Sequence, residues 1–245
     1  IRSITMKPVR TARMLFNRHR GEARVDGIRL PIDRTVLSPK MEYTLAKGRY
    51  EYGEARQAAR VISPGDTVLE LGSGIGFVSS YLRRHTAAGK IICVEANPEL
   101  IPFIRRVHAI NEIEDTVVLN GVAQVPPCSA AIPFYSRYDF WASSLDSGSE
   151  PYEKIVKVPG LNFVELLETY RPDVLVMDIE GGELSLLATP ELKHVKSIVV
   201  EVHVSSYGQT GLDQLLADAR RLGFSEDPMG TAREVHTFVR PTPTS

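Results

Sequence analysis

The sequence predicts an α/β fold with a doubly wound, mostly parallel sheet. Short apolar runs rich in β-branched residues alternate along the chain with segments of helical periodicity. This alternation is typical of parallel strands that are covered by helices on both faces. The C-terminal end differs, because only the short turn-rich segment 226–231 separates Phe224 from the final strand candidate, and two strands joined so tightly run antiparallel. We therefore expect a Rossmann-like sheet that ends in a C-terminal antiparallel hairpin.

The individual elements follow from apolar runs and from turn and cap residues. Helical spacing is present at residues 77–84 and 212–222, and Asn97-Pro98 offers a cap and a first-turn proline for a helix reaching about Asn111. The strand candidates are residues 67–71, 90–96, 116–119, 174–179, 197–203 and 234–239.

Two regions depart from the regular alternation. Residues 1–52 have weaker signals, and we predict an N-terminal flap and lead-in helix there, followed by the main domain at residues 53–245. An insertion at about 121–160 is rich in Pro, Ser and Tyr, and loops of such length are usually functional or disordered. Two interpretations stay open for it: a cover over a substrate pocket, or a β-hairpin packed on the sheet edge. Its aromatic residues, Phe134, Tyr135, Tyr138, Phe140 and Trp141, argue against disorder.

The bulk composition excludes several classes of protein. The 245 residues carry 29 Lys and Arg against 30 Asp and Glu, so we expect no nucleic-acid partner. No apolar run approaches the roughly 20 residues that span a bilayer, and the basic first twenty residues lack the apolar core of a targeting signal. Cys93 and Cys128 are too few for a disulfide framework, which favours a cytoplasmic location. The sequence leaves a homodimer open.

A glycine-rich loop follows the first predicted strand and opens a helix. Glycines at such a turn let backbone amides approach a ligand closely. A dinucleotide-binding loop would place its third glycine at position 77, where this chain has Phe77. The acidic residue two positions before the first glycine suits a ligand with an amino-acid moiety, and S-adenosylmethionine (SAM) has one. The cofactor-binding candidates of this loop are Glu70, Gly72, Ser73, Gly74 and Gly76.

The end of the next strand supplies the second cofactor signal. Glu95 lies about twenty residues beyond the loop, the spacing at which an acidic side chain accepts the ribose hydroxyls. Ala96 and Asn97 follow it and are predicted to line the same site. SAM is therefore predicted as the cofactor, with S-adenosylhomocysteine as the product. The prediction depends on the glycine loop, its position between a strand and a helix, Glu95 and the C-terminal hairpin.

Polar side chains follow two further strands, where ligands of open α/β sheets bind. Asp178 and Glu180 come after one strand, and Glu201 and His203 after its neighbour. We predict His203 as a general base that removes the proton of an alcohol acceptor. Asp178 or Glu180 would orient the acceptor or the methionine moiety of the cofactor. A divalent metal could also bind such a cluster, but no spacing is diagnostic and we assign no metal ligand.

With these residues in view, the chain resembles the FkbM family of methyltransferases. The resemblance implies a class I methyltransferase fold, SAM as the donor, and usually O-methylation in natural-product, glycan or glycolipid settings. Three alternatives stay open: N-methylation, a nicotinamide-dependent oxidoreductase, which Phe77 disfavours, and a non-catalytic binding protein. The segments that carry the resemblance are Tyr50-Glu51, residues 70–76, 94–98, 142–145 and 178–183, and Glu201-Val202-His203.

Overall fold

The computed structural model describes residues 8–139, 151–179, 181–231 and 234–241. Helices and strands alternate over most of that length. In chain order they are α1 (Pro8–Arg20), β1 (Glu22–Val25), β2 (Ile28–Pro31), α2 (Pro39–Lys47), α3 (Tyr52–Val61), β3 (Thr67–Leu71), α4 (Phe77–His85), β4 (Lys90–Glu95), α5 (Leu100–Ile110), β5 (Thr116–Asn120), β6 (Val122–Gln124), β7 (Ile132–Ser136), β8 (Lys154–Val158), β9 (Gly160–Asn162), α6 (Phe163–Tyr170), β10 (Val174–Met177), α7 (Glu183–Leu187), a 3-10 helix (Pro190–His194), β11 (Ser197–Glu201), α8 (Val204–Arg221), β12 (Ser225–Glu226) and β13 (Val235–Val239).

Seven of the described strands form the central sheet, in the order β12-β13-β11-β10-β3-β4-β5. The pairs among β11, β10, β3, β4 and β5 are parallel, whereas β13 runs antiparallel to both β11 and β12. The predicted mostly parallel sheet with a C-terminal antiparallel hairpin is therefore confirmed. The chain moves outward from β3 to β5 and then returns to β10 on the other side of β3. Ligands of open α/β sheets bind at such a reversal of strand order, outside the carboxyl ends of the strands.

Alternate residues of the strands point to opposite faces of the sheet, and each face has its own apolar core. Val68 and Cys93 pack with α3, α4 and α5 on one face. Leu69 and Ile92 pack with α6, α7 and α8 on the other face. Continuous apolar runs such as 91–94 arise because a strand buried on both faces has no polar side.

The N-terminal elements extend the first of these cores. β1 and β2 form an antiparallel hairpin that turns at Asp26-Gly27. Ile28 of this hairpin and Leu45 of α2 are fully buried in the same cluster as Phe77 of α4. The predicted boundary at residue 52 stays a prediction.

Two helix predictions need correction. The helix expected to begin at Asn97-Pro98 begins instead at Leu100. Asn97 forms a turn, in which its side-chain oxygen accepts a hydrogen bond from the Glu99 amide at 3.0 Å. The C-terminal helix expected at 212–222 begins already at Val204, with a break in helical geometry at Gly208 (φ 68°, ψ 179°).

The described part of the insertion contains two small sheets. β7 and β8 pair in an antiparallel hairpin, and β6 pairs with β9 in parallel. Phe140 and Trp141 lie outside the described residues. The C-terminal end of β7, at Ser136 and Arg137, lines a cleft together with Ser38 and Asn97, so the insertion reaches the neighbourhood of the predicted cofactor site. No helix in the described part of the chain is long and apolar enough to cross a membrane.

Candidate active site

The glycine loop between β3 and α4 is held against the ends of two neighbouring strands. The amides of Gly72 and Ser73 donate hydrogen bonds to the Val94 carbonyl, at 2.9 and 3.2 Å. Gly72 has a φ of +86°, and a Cβ built there would lie 1.8 Å from the carbonyl oxygen of Asp178. Only a glycine fits this contact, which brings the loop and the end of β10 together. Gly76 caps the N-terminus of α4.

Glu95 joins the glycine loop to the turn after β4. One carboxylate oxygen accepts a hydrogen bond from the Gly74 amide at 2.8 Å, and the other accepts one from the Asn97 amide at 2.7 Å. Burial raises the pKa of this carboxyl to about 7, although the backbone hydrogen bonds oppose the rise. Each oxygen keeps a second lone pair for a further donor. The adjacent Ala96 carbonyl accepts a hydrogen bond from the Asn120 side chain.

Glu70 lies beneath the loop in a different environment. The residue is 1% exposed, and neither carboxylate oxygen makes a hydrogen bond in the described part of the chain. Burial raises its pKa to about 7, and the neighbouring Cys93 thiol and Ser73 hydroxyl offset part of that rise. A buried carboxyl without a hydrogen-bond partner is costly to ionise. Glu70 is therefore a group that can accept a donor from a ligand.

The predicted base lies between two carboxylates. His203 follows β11, and its Nδ1 is 2.8 Å from Oε1 of Glu183, a fully buried residue at the start of α7. The imidazole Nε2 is 3.4 Å from Oδ1 of Asp178. The structure therefore brings the side chains of Asp178 and His203 together, from two neighbouring strand ends. Glu180, the third residue predicted for this end of the site, lies outside the described residues.

Two carboxylates of the N-terminal part were not predicted as site residues. Glu54 of α3 is 4% exposed, and one of its oxygens lies within 4.8 Å of oxygens from Asp178 and Glu201. Burial, with repulsion from Asp178, raises the pKa of both Glu51 and Glu54 well above the ordinary value. The sequence contains a signal for Glu54, because this acidic residue lies on the same buried face of α3 as the small apolar residues Ala55 and Ala58. A carboxylate on a buried helix face is rare without a function or a partner.

Glu183 was also left without a predicted role, although it belongs to the Asp178–Glu183 string. The local sequence places Glu183 at the start of α7. Its contact with His203, however, joins residues 20 positions apart and depends on the packing of β10 beside β11. The end of β11 therefore supplies the imidazole of His203, and the segment after β10 supplies the Glu183 carboxylate that orients it.

Comparison with known proteins gives one family match and several distant structural likenesses. Residues 70–226, more than half of the chain, match the model of the methyltransferase FkbM domain. No curated protein sequence matches the chain.

Three similar solved structures have low sequence identity to this chain. The precorrin 8W decarboxylase of Methanobacterium thermoautotrophicum is 15% identical, with a TM-score of 0.48 over 86% of this chain and 95% of that one. TYW2 of M. jannaschii, solved with AdoMet, is 11% identical, with a TM-score of 0.48 over 90% and 86%. The precorrin-6y C5,15-methyltransferase of Geobacter metallireducens is 13% identical, with a TM-score of 0.45 over 76% and 85%.

Proposed function

The chain belongs to the FkbM family of SAM-dependent methyltransferases, and we propose that it methylates a hydroxyl oxygen. The acceptor class that we propose is a small molecule, a glycan or a glycolipid. The observation that carries the proposal is the contact of His203 with the fully buried Glu183, beside Asp178, at the carboxyl ends of β10 and β11. A hydroxyl needs a base as its oxygen is alkylated, whereas a neutral amine is already nucleophilic.

The residues around the glycine loop suit the cofactor. The glycines at 72 and 76 let the loop pack closely against the Asp178 carbonyl and against Ile104 of α5, where a Cβ would collide. Glu70 is proposed to accept the ammonium of the methionine moiety, and Glu95, with Ala96 and Asn97 beside it, to receive the ribose. When bound, SAM would supply an electrophilic methyl group on a sulfonium, with S-adenosylhomocysteine as the thioether leaving group when the acceptor oxygen takes the methyl.

The Glu183–His203 pair gives the imidazole a defined orientation. If Nδ1 donates its proton to Glu183, then Nε2 carries the lone pair and faces the Asp178 side of the site. Carboxylates on both sides stabilise the imidazolium that forms when Nε2 takes the acceptor proton. Asp178 is proposed to orient the acceptor hydroxyl toward Nε2.

The test is a comparison of two histidine variants with [methyl-¹³C]SAM and a panel of sugars and hydroxylated lipids, each paired with its amino analogue. We expect His203→Ala to lower turnover about 10²-fold or more, while calorimetry gives an unchanged dissociation constant for S-adenosylhomocysteine. The control is His236→Ala. His236 and His203 have the same 13% side-chain exposure, and His236 pairs with Glu226 at 2.7 Å.

The carbon chemical shift of the product distinguishes an O-methyl from an N-methyl group. Turnover of His203→Ala equal to that of wild type would remove the base assignment. A product methylated only on nitrogen would replace O-methylation with N-methylation. Cofactor binding without turnover on any acceptor would favour the non-catalytic alternative.

A further inference from the structure

Three carboxylates from three different elements converge beside the proposed base. Glu54 comes from α3, Asp178 from the end of β10 and Glu201 from the end of β11. We propose that these three side chains bind one divalent metal ion at the carboxyl edge of the sheet. We refer to Glu54, Asp178 and Glu201 as the carboxylate cluster.

The spacing of the carboxylate cluster fits a single ion. One oxygen from each residue lies within 4.8 Å of the other two. Ligand oxygens on opposite sides of Mg²⁺ or Ca²⁺ are about 4–5 Å apart, because the metal–oxygen distance is about 2.0–2.6 Å. An all-oxygen donor set favours Mg²⁺, Mn²⁺ or Ca²⁺ over metals that prefer nitrogen or sulfur. The ligands are also held by rigid elements, since β10 and β11 pair in parallel and α3 packs across both.

A second observation indicates that the cluster has a ligand. Glu54 is 4% exposed, and it makes neither a hydrogen bond nor an ion pair within the described part of the chain. One of its carboxylate oxygens faces oxygens of Asp178 and Glu201, so the side chain is directed into the cluster. A buried carboxylate persists only when it is protonated, paired or bound to a metal.

The surrounding charges favour a divalent ion. The strongest electrostatic influences on Glu54 come from other carboxylates, those of Asp178, Glu51, Glu70 and Glu201. The neighbouring imidazole of His203 already lies between Glu183 and Asp178. Three ligand carboxylates carry a formal charge of about −3 when ionised, and a divalent cation offsets more of this repulsion than an ammonium group does.

The position of the ion suggests its role, and this role rests on the proposed function. A cation held by the carboxylate cluster would lie near Nε2 of His203, at the place where the acceptor hydroxyl is proposed to bind. Coordination of the hydroxyl oxygen would orient the acceptor and ease loss of its proton to the base. Binding of the ion itself does not depend on the identity of the acceptor.

Metal binding is tested by electron paramagnetic resonance with Mn²⁺ as the probe, on full-length protein freed of metal with a chelator. We expect wild-type protein to quench the signal of free Mn²⁺ at one ion per chain, and Mg²⁺ or Ca²⁺ to compete. Glu54→Gln is expected to weaken Mn²⁺ binding about 10- to 100-fold or more. Glu201→Gln serves as an independent second variant, and Glu168→Gln, on the exposed side of α6, as the control.

A stability measurement keeps the test independent of activity. Mn²⁺ is expected to raise the melting temperature of the wild type but not that of Glu54→Gln, since only a state that binds the ligand is stabilised. In chelator, Glu54→Gln is expected to melt at or above the wild-type temperature, because the substitution removes an unpaired buried charge. This result also shows that the variant folds.

The outcomes separate the metal site from the proposed function. A wild-type protein that leaves the Mn²⁺ spectrum unchanged at millimolar concentration overturns the site, as does wild-type affinity in Glu54→Gln. O-methyl products formed in chelator would then leave the proposed function standing alone. Conversely, Mn²⁺ binding that depends on Glu54 supports the site even if every methylated product carries the methyl group on nitrogen.

Discussion

At the scale of single residues, Glu70 and Glu95 occupy neighbouring strand positions but have different partners. Both are buried acids whose pKa rises to about 7. Glu95 accepts two backbone hydrogen bonds, whereas neither oxygen of Glu70 accepts one. Glu95 therefore stabilises the loop itself, and Glu70 is the group that we propose accepts the ammonium of the cofactor.

This difference gives a pH-dependent prediction for Glu70→Gln. A carboxyl whose pKa rises from 4.5 to about 7 on folding holds a proton that the unfolded chain releases. Its contribution to stability therefore falls as the pH rises through that window. At pH 8 we expect the free energy of unfolding of Glu70→Gln to exceed that of wild type by about 1–3 kcal/mol. This difference is expected to shrink toward pH 5, where the wild-type carboxyl is protonated in the folded protein.

Urea denaturation of both proteins between pH 5 and pH 8 measures the effect. Glu168→Gln, which alters an exposed carboxylate, should show no such trend. A gain in Glu70→Gln that stays constant with pH would mean that Glu70 is ionised in the folded protein throughout. The same variant is expected to bind S-adenosylhomocysteine more weakly, because an amide does not replace a carboxylate beside an ammonium.

The sequence predicts the positions of site residues better than their contacts. Asp178, His203 and Glu95 were found because each lies at the end of an apolar strand, where the fold class dictates a ligand crevice. Glu54 and Glu183 were not assigned, because their contacts with Asp178 and His203 join residues that are 20 or more positions apart in the chain. Such contacts depend on tertiary geometry that no local pattern encodes.

At the scale of elements, strands were predicted closely and helix starts less well. β3 has the predicted bounds, because a Pro-Gly turn precedes it and glycines follow it. The start of α5 was wrong because the Asn97 side chain closes a turn with Glu99 instead of capping the helix. The start of α8 was missed because Gly208 interrupts the helical pattern.

The contact between the glycine loop and β10 gives a prediction at this scale. In Gly72→Ala the new Cβ would lie 1.8 Å from the Asp178 carbonyl oxygen, so β3 and β10 must separate at their ends. We expect a loss of about 3 kcal/mol or more in the free energy of unfolding and loss of S-adenosylhomocysteine binding. The matched control is Gly65→Ala, since Gly65 has nearly the same φ (+85°) but no atom within 4 Å of the added Cβ.

Chemical denaturation and calorimetry on the two glycine variants separate backbone strain from collision. Equal losses in both would mean that the positive φ alone accounts for the effect. A larger loss in Gly72→Ala is expected, because both variants carry the strain and only one carries the clash.

At the scale of the whole molecule, the N-terminal elements and the sheet share one core. Leu45 of α2 is fully buried in the cluster that contains Ile75 and Phe77 beside the glycine loop. Helix and strand signals before residue 52 are weak, so the shared core of the N-terminal elements and the sheet could not be predicted from periodicity. It explains how α3 comes to present Glu54 to the ends of β10 and β11.

A shared core predicts a shared unfolding transition. We expect Leu45→Ala to lower the free energy of unfolding by about 2–5 kcal/mol, with circular dichroism and S-adenosylhomocysteine binding lost together in urea. Leu15→Ala is the control, since Leu15 on α1 is 55% exposed. A first unfolding transition at low urea that leaves S-adenosylhomocysteine binding intact would instead show that residue 52 is a domain boundary.

The close approach of Gly72 to the Asp178 carbonyl has a consequence for how such an enzyme can diverge. The donor side and the base side of the site are joined through the paired ends of β3 and β10, so a change in either strand end disturbs both. New acceptor specificities are then most readily acquired in the chain outside that contact, at the entry to α3 and in the segment between β5 and α6. Substitutions in these segments would change acceptor specificity during evolution and leave the cofactor site unchanged.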